Sequence, residues 1–140
     1  MRIRELNHCV YQTLYHIVWG TKFRRKILKT YVRKELYQAF KKTQRKNLDW
    51  YLHEVNAGDD HIHMMIEIPP KYAVSYVVQR LKSESSAILK KKFKFLTRLE
   101  SIWETGFFVS TIGLNENVIK KYIERQDRAD RGKDVTAEFS

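Results

Sequence analysis

The sequence predicts an α+β fold: a ferredoxin-like (RRM-like) split βαβ antiparallel sheet with an extra C-terminal helix. Three observations predict it. Short runs rich in β-branched and aromatic residues alternate with longer stretches whose apolar residues recur at helical spacing. Their order is β-α-β-β-α-β-α. The second and third strands are separated by a short turn alone, which makes them a hairpin. A chain of 140 residues suits one domain with one core.

The elements follow in order. Residues 11–19, Tyr-Gln-Thr-Leu-Tyr-His-Ile-Val-Trp, form a strand that Gly20 closes. A basic loop, Thr21-Lys22-Phe23-Arg24-Arg25-Lys26, comes next. A helix spans residues 30–43, with Val32, Leu36, Ala39 and Phe40 on one stripe and Thr30 as its N-cap. Residues 49–56, Asp-Trp-Tyr-Leu-His-Glu-Val-Asn, form the second strand. Ala57-Gly58-Asp59-Asp60 is a turn by composition, and residues 61–68 form the third strand, which Pro69-Pro70 ends. A second helix spans residues 73–91. Val74, Val77, Val78, Leu81, Ile88 and Leu89 line its inner face, and Arg80, Lys82, Lys90 and Lys91 its outer face. Residues 93–104 show no clear period. Residues 106–112 form the fourth strand, and residues 116–126 the last helix. The expected domain is 1–128, followed by a charged, flexible tail over 129–140. With both main helices on one face, the other face of the sheet is expected to be left for a partner or a substrate.

Composition narrows the function. A hydrophobic content of 43% excludes a disordered chain. No apolar run approaches a membrane span, and the N-terminus carries no secretory signal. The single cysteine, Cys9, rules out an internal disulfide and fits a reduced, cytoplasmic setting, with Cys9 itself read as a small buried residue. The net charge of +11 is segregated: residues 22–46 hold eleven Lys or Arg and one acid, and residues 71–98 hold eight and one. A one-signed surface points to a polyanionic partner, and so to nucleic acid. Charge does not separate DNA from RNA, and a basic face kept for solubility is the plainer alternative.

His61 and His63 are two apart on a strand, so both rings point to one face, while Ile62, Met64, Ile66 and Ile68 point to the other. Two imidazoles so placed can chelate one divalent ion, with Asp59, Asp60 and Glu67 as carboxylates nearby. Taken alone, the pair also fits two surface histidines. Tyr122 shares a helical stripe with Val118, Ile119 and Ile123, and Gln126 lies one turn further on. Spacing alone favours a half-buried core tyrosine. A tyrosine hydroxyl can, however, attack a phosphodiester and retain the DNA as an ester. A metal held by two histidines and an amide oxygen would neutralise the phosphate and stabilise the leaving oxygen. Such a covalent link conserves the energy of the broken bond and permits rejoining.

The chain resembles the HUH endonucleases through His61-Ile62-His63, the histidine–hydrophobic–histidine triplet. More closely it resembles the single-tyrosine transposases of the TnpA type, from the smallest bacterial and archaeal insertion sequences. The resemblance covers nearly the whole chain. It runs through Tyr15-His16-Ile17-Val18-Trp19, Thr21-Lys22-Phe23-Arg24-Arg25, Asp60-His61-Ile62-His63-Met64-Met65 and Ile68-Pro69-Pro70-Lys71-Tyr72. It continues through Val78-Gln79-Arg80-Leu81-Lys82-Ser83, Ser85-Ser86, Trp103, Gly106 and Phe108-Val109-Ser110-Thr111, and ends with Val118-Ile119-Lys120-Lys121-Tyr122-Ile123-Glu124-Arg125-Gln126. Phe23 stands where tyrosine is common in the family, and the tail after Gln126 does not align with it.

The resemblance implies that Tyr122, on the extra helix, is the nucleophile, leaving a 5′-phosphotyrosine and a free 3′-OH. It implies that His61, His63 and Gln126 hold a divalent metal, Mg2+ or Mn2+. It implies a homodimer whose active site is shared between subunits, and single-stranded DNA with a hairpin as the substrate. Lys22, Arg24, Arg25, Arg80 and Lys82 are the expected DNA-binding residues. A host-retained relative acting on repeated palindromes would use the same chemistry. A non-catalytic RNA-binding module would instead display Tyr15, Trp19 and Phe108 on the sheet face.

Overall fold

The computed structural model describes residues 4–6, 9–11, 13–111 and 137–139, with side chains described for 13–111. Strands β1 (Arg4–Leu6) and β2 (Cys9–Tyr11) form a small separate hairpin. The main sheet holds β3 (Leu14–Gly20), β4 (Tyr51–Ala57), β5 (His61–Glu67), β6 (Phe108–Thr111) and β7 (Ala137–Phe139) in the order β6-β3-β5-β4-β7, all antiparallel. The first four of these have the split βαβ arrangement, with the first and third strands of the motif at the centre. The expected fold class is the observed one. The helix expected over residues 116–126, with Tyr122 and Gln126, lies outside the described residues.

Strand alternation sets the layers. Ile17 and Trp19 on β3, Val55 on β4 and Ile62, Met64 and Ile66 on β5 join one apolar cluster. Helices α1 (Thr30–Lys46) and α2 (Val74–Lys92) cover that face. Val32, Leu36 and Phe40 come from the first, and Val77, Val78, Leu81 and Leu89 from the second. Each of these side chains contributes about 1.5–3 kcal/mol by leaving water. Trp19 meets the edge of Phe40 at 6.1 Å and of Trp103 at 5.9 Å. The Trp103 indole N–H donates to the Ser85 hydroxyl at 3.0 Å, which gives Ser85 a reason to sit in the buried stripe of α2.

Four expectations need correction. The first strand begins at Leu14, because Cys9–Tyr11 is spent on the β1–β2 hairpin. Thr30 opens the first turn of α1 instead of capping it, and its hydroxyl accepts from Arg33. Ala137–Phe139, in the stretch expected to be a loose tail, pairs with the free edge of β4. The second sheet face is not left open: Leu14, His16, His61, His63, Met65 and Glu67 are all buried there. Trp19 lies in the core, so the aromatic display required of an RNA-binding sheet is missing at that position.

Candidate functional site

The site grows from the hairpin of β4 and β5. Its turn closes with the Gly58 N–H donating to the His61 carbonyl at 2.9 Å, and Asp60 is its last residue. His61 and His63 then point to the second sheet face, as alternation requires, with ring centroids 5.0 Å apart. Each residue is about 3% exposed, so both are buried where a ligand would have to displace little water.

Asp60 organises what surrounds them. Its carboxylate accepts from His61 Nδ1 at 2.8 Å and from both Nη2 and Nε of Arg24 at 3.1 Å. Burial works against this charge, but the hydrogen bonds from Arg24 and His61 outweigh it and hold the carboxyl below its ordinary pKa. An ionised carboxylate only accepts. Nδ1 of His61 therefore carries the proton, and in the neutral ring the lone pair is on Nε2. This is the carboxylate–histidine arrangement that orients metal ligands. Of the other carboxylates, Glu67 meets His53 Nε2 at 2.6 Å, through the bulge that makes His53 the extra residue of β4. Asp59 contributes a backbone carbonyl to the Leu28 N–H.

His16, on the neighbouring strand, joins the site without being among the residues that the sequence singles out. Its Nε2 lies 3.4 Å from His63 Nδ1, and the two rings are parallel within 5°. Burial lowers its pKa to about 4. His63 is lowered to about 3, first by burial and then by the charges of His61, His16 and Arg24. Both rings are thus neutral near pH 7, the form that binds metal. A signal exists in the alternation, since Leu14, His16, Val18 and Gly20 share one face, but only the register of β3 with β5 puts His16 beside His63.

A shallow depression of about 170 Å3 opens here, lined by Val18, Gly20, Arg24, His61, His63, Glu104 and Phe108 among others. Gly20 suits this wall, since a Cβ there would come within 3.0 Å of Arg24 Cδ and 3.3 Å of the Asp60 carbonyl. Among the described residues, no group of three or more His, Cys, Asp or Glu side chains gathers as a metal cluster. The chemistry of the donors nevertheless fits one divalent ion: two adjacent imidazoles, one backed by a carboxylate.

The five expected DNA-binding residues are placed unequally. Lys22 and Arg25 flank the Phe23 ring, with Nζ and Cζ at 5.4 and 5.2 Å from its centroid. Arg24 forks onto Asp60. Arg80 forks onto Glu84, at 2.6 Å from Nη2, and reaches the Tyr76 hydroxyl. Lys82 donates to the carbonyls of Glu104 and Gly106 at 2.8 and 2.7 Å, and ties α2 to the segment before β6. The structure brings Arg24 to the histidines. Arg80 and Lys82 stand on α2, engaged in contacts within the fold.

Comparisons with known proteins converge. The profile of the family described as "Transposase IS200 like" matches residues 9–126. The transposase of insertion sequence element IS200 from Salmonella typhimurium is 35% identical over 134 residues, 91% of this chain and 86% of that protein. The ISDra2 transposase TnpA of Deinococcus radiodurans is 28% identical over 125 residues, 84% of this chain and 86% of that one. Two solved structures share the fold. A candidate transposase from Deinococcus radiodurans superposes with a TM-score of 0.72 at 24% identity, over 88% of this chain and 97% of that chain. A REP-associated tyrosine transposase bound to a REP hairpin superposes with a TM-score of 0.61 at 16% identity, over 83% and 68%.

The buried imidazoles make stability depend on pH. In the unfolded chain His16 and His63 titrate near 6.5, and in the folded protein near 4 and 3. Between those values the unfolded state binds more protons, so stability rises with pH and is fully present above 6.5. The melting temperature of the metal-free protein is expected to fall as pH drops from 7 to 5, with a shallower fall in His16→Gln. A melting temperature constant over that range would contradict the neutral, buried state of both rings.

Proposed function

The chain belongs to the IS200-like transposase family, and on that premise we propose that it cuts and rejoins single-stranded DNA at hairpin-bearing insertion-sequence ends through a tyrosine nucleophile. The observation that carries the reading is the buried His61–His63 pair, backed by Asp60 and opening on the same depression as Arg24. The hairpin substrate is supported by a structural neighbour solved with a hairpin bound. The two basic blocks supply the charge that a DNA strand requires.

In this reading Tyr122 Oη attacks the scissile phosphorus. The bond from phosphorus to the 3′ oxygen breaks, and that oxygen leaves as a 3′-OH after taking a proton. The 5′ phosphate stays on the tyrosine as an ester. Attack by another 3′-OH reverses the step and joins a new pair of ends. A divalent ion, Mg2+ or Mn2+, bound by His61, His63 and Gln126 would supply Lewis-acid stabilisation of the charge that builds on the phosphate and leaving oxygen. Asp60 keeps His61 in the tautomer that presents Nε2, and Arg24 holds Asp60 ionised. Lys22 and Arg25 neutralise phosphates next to the depression, and Arg24, Arg80 and Lys82 extend that basic surface only as far as their contacts within the fold allow. The protein acts as a homodimer, with Tyr122 of one copy completing the site of the other. It acts in the cytoplasm, where its DNA is. No helix of the described residues is long and apolar enough to cross a membrane.

Three measurements check this. Incubation with single-stranded hairpin oligonucleotides and Mn2+ should give a covalent adduct, and Tyr122→Phe should bind the DNA without forming it. An adduct that persists in Tyr122→Phe removes Tyr122 from the role. Asp60→Asn should weaken Mn2+ binding by about 10- to 100-fold, as loss of such a supporting group typically does. An unchanged Mn2+ affinity would show that Asp60 does not orient a ligand. Lys22→Glu with Arg25→Glu should weaken hairpin binding and reduce the salt slope of log K by about 0.7 for each phosphate that the pair neutralises in the wild type. An unaltered slope moves the DNA path away from this loop.

A further inference from the structure

The loop between β3 and α1 contains a feature that neither the core nor the metal pair accounts for. Lys22–Arg24 makes one short 3-10 turn in which Phe23 has φ 57° and ψ 24°, and Arg24 has φ 52°. Both are left-handed conformations that side chains with a Cβ rarely adopt, and glycine or asparagine would form the same turn with less strain. Burial does not explain the phenylalanine, because Phe23 is 76% exposed. Strain of this kind persists where surrounding contacts impose it. Here they are visible. The Thr21 N–H donates to the Asp60 carbonyl at 2.8 Å, the Thr21 hydroxyl to the Arg25 carbonyl at 2.7 Å, and Arg24 forks onto the Asp60 carboxylate. The turn is therefore anchored to the residue that orients His61, and it holds an exposed aromatic ring one residue before Arg24, which lines the depression.

We propose that Phe23 is a stacking platform for an unpaired nucleobase beside the scissile phosphate, a specificity and positioning residue that rests on the reading of the protein as an enzyme acting on single-stranded DNA. An exposed π face accepts any base, and stacking is the usual way proteins hold single strands. Lys22 Nζ and Arg25 Cζ lie over the Phe23 ring at 5.4 and 5.2 Å from its centroid, cation–π contacts on a ring that is still 76% exposed, and they put phosphate-neutralising charge within a nucleotide of it. Arg24, the next residue, lines the depression with His61 and His63. A base stacked on Phe23 therefore fixes the register of the strand at the histidines. The hairpin supplies the anchor, and the platform sets which phosphodiester follows it into the site.

The test uses the full chain in the presence of a chelator, so that binding is read without cleavage. The probes are a labelled single-stranded DNA hairpin with unpaired flanks, and a set in which each flanking nucleotide in turn is abasic. Phe23→Gly relieves the left-handed strain, so it should melt no lower than the wild type while binding about tenfold more weakly. Phe23→Trp should restore binding. At one abasic position the wild type and Phe23→Gly should bind equally, because the base that the ring contacts is gone. Equal binding of the intact hairpin by wild type and Phe23→Gly overturns the platform alone. A lower melting temperature in Phe23→Gly assigns the ring a structural role and overturns it too. A change in oligomeric state in Phe23→Gly without DNA does the same, by showing that the ring covers a second copy. A wild type that binds none of these DNAs overturns the single-strand reading itself, and the platform with it.

Discussion

Asp60 is the constraint on which the rest of the site depends. It ends the hairpin turn, so its backbone is positioned by the pairing of β4 with β5. Its carbonyl takes the Thr21 N–H, which draws the loop after β3 against the start of β5. Its carboxylate takes His61 and Arg24 together. One residue thereby sets the tautomer of a histidine, the position of a guanidinium and the path of a strained turn. A carboxylate buried with a single donor would gain less than its desolvation costs. Three N–H donors reverse the balance, which is why its pKa falls despite burial.

The second face of the sheet differs in kind from the first. The helix-covered face carries the apolar cluster. The other carries His16, His61, His63 and Glu67 among Leu14 and Met65, all buried. Burial penalises the protonated forms of His16 and His63, and for His63 the neighbouring charges add to that penalty. The neutral rings of His16 and His63 are the stable arrangement near pH 7. They are also the only form with a lone pair to offer, so the feature that makes this face costly in acid is the one that makes it chemically useful.

Much of this was legible from local pattern. The alternation of Ile62, Met64, Ile66 and Ile68 against His61 and His63 survives intact, as do α1, α2 and the β4–β5 hairpin. Those signals are local: a period, a turn composition, a proline pair. What was illegible depends on register. His16 becomes a neighbour of His63 only because His16 pairs with Met65 across β3 and β5. Lys82 and Arg80 read as outward charges from helical spacing, yet Lys82 reaches two carbonyls near β6 and Arg80 a glutamate one turn away. The edge strand at Ala137–Phe139 carries no periodicity of its own, and three residues give too little pattern to betray a partner so distant in sequence. The resemblance to the transposases reached further than pattern did, since it identified the family without any geometry. Tyr122 and Gln126 lie outside the described residues, so their place in the site is the part of the reading carried by family membership.

The strand order also dictates a sequence of assembly. The β4–β5 hairpin closes over three residues and can form as soon as it is synthesised. Strand β3 is made earlier but lies between β5 and β6, so its two edges stay unsatisfied until segments far downstream emerge. During that interval Leu14, Ile17 and Trp19 are exposed on a chain that cannot yet bury them, a state prone to association. The first basic block follows β3 directly and is synthesised just after it. Like charge on that segment repels other copies, which opposes association while the central strand is uncovered.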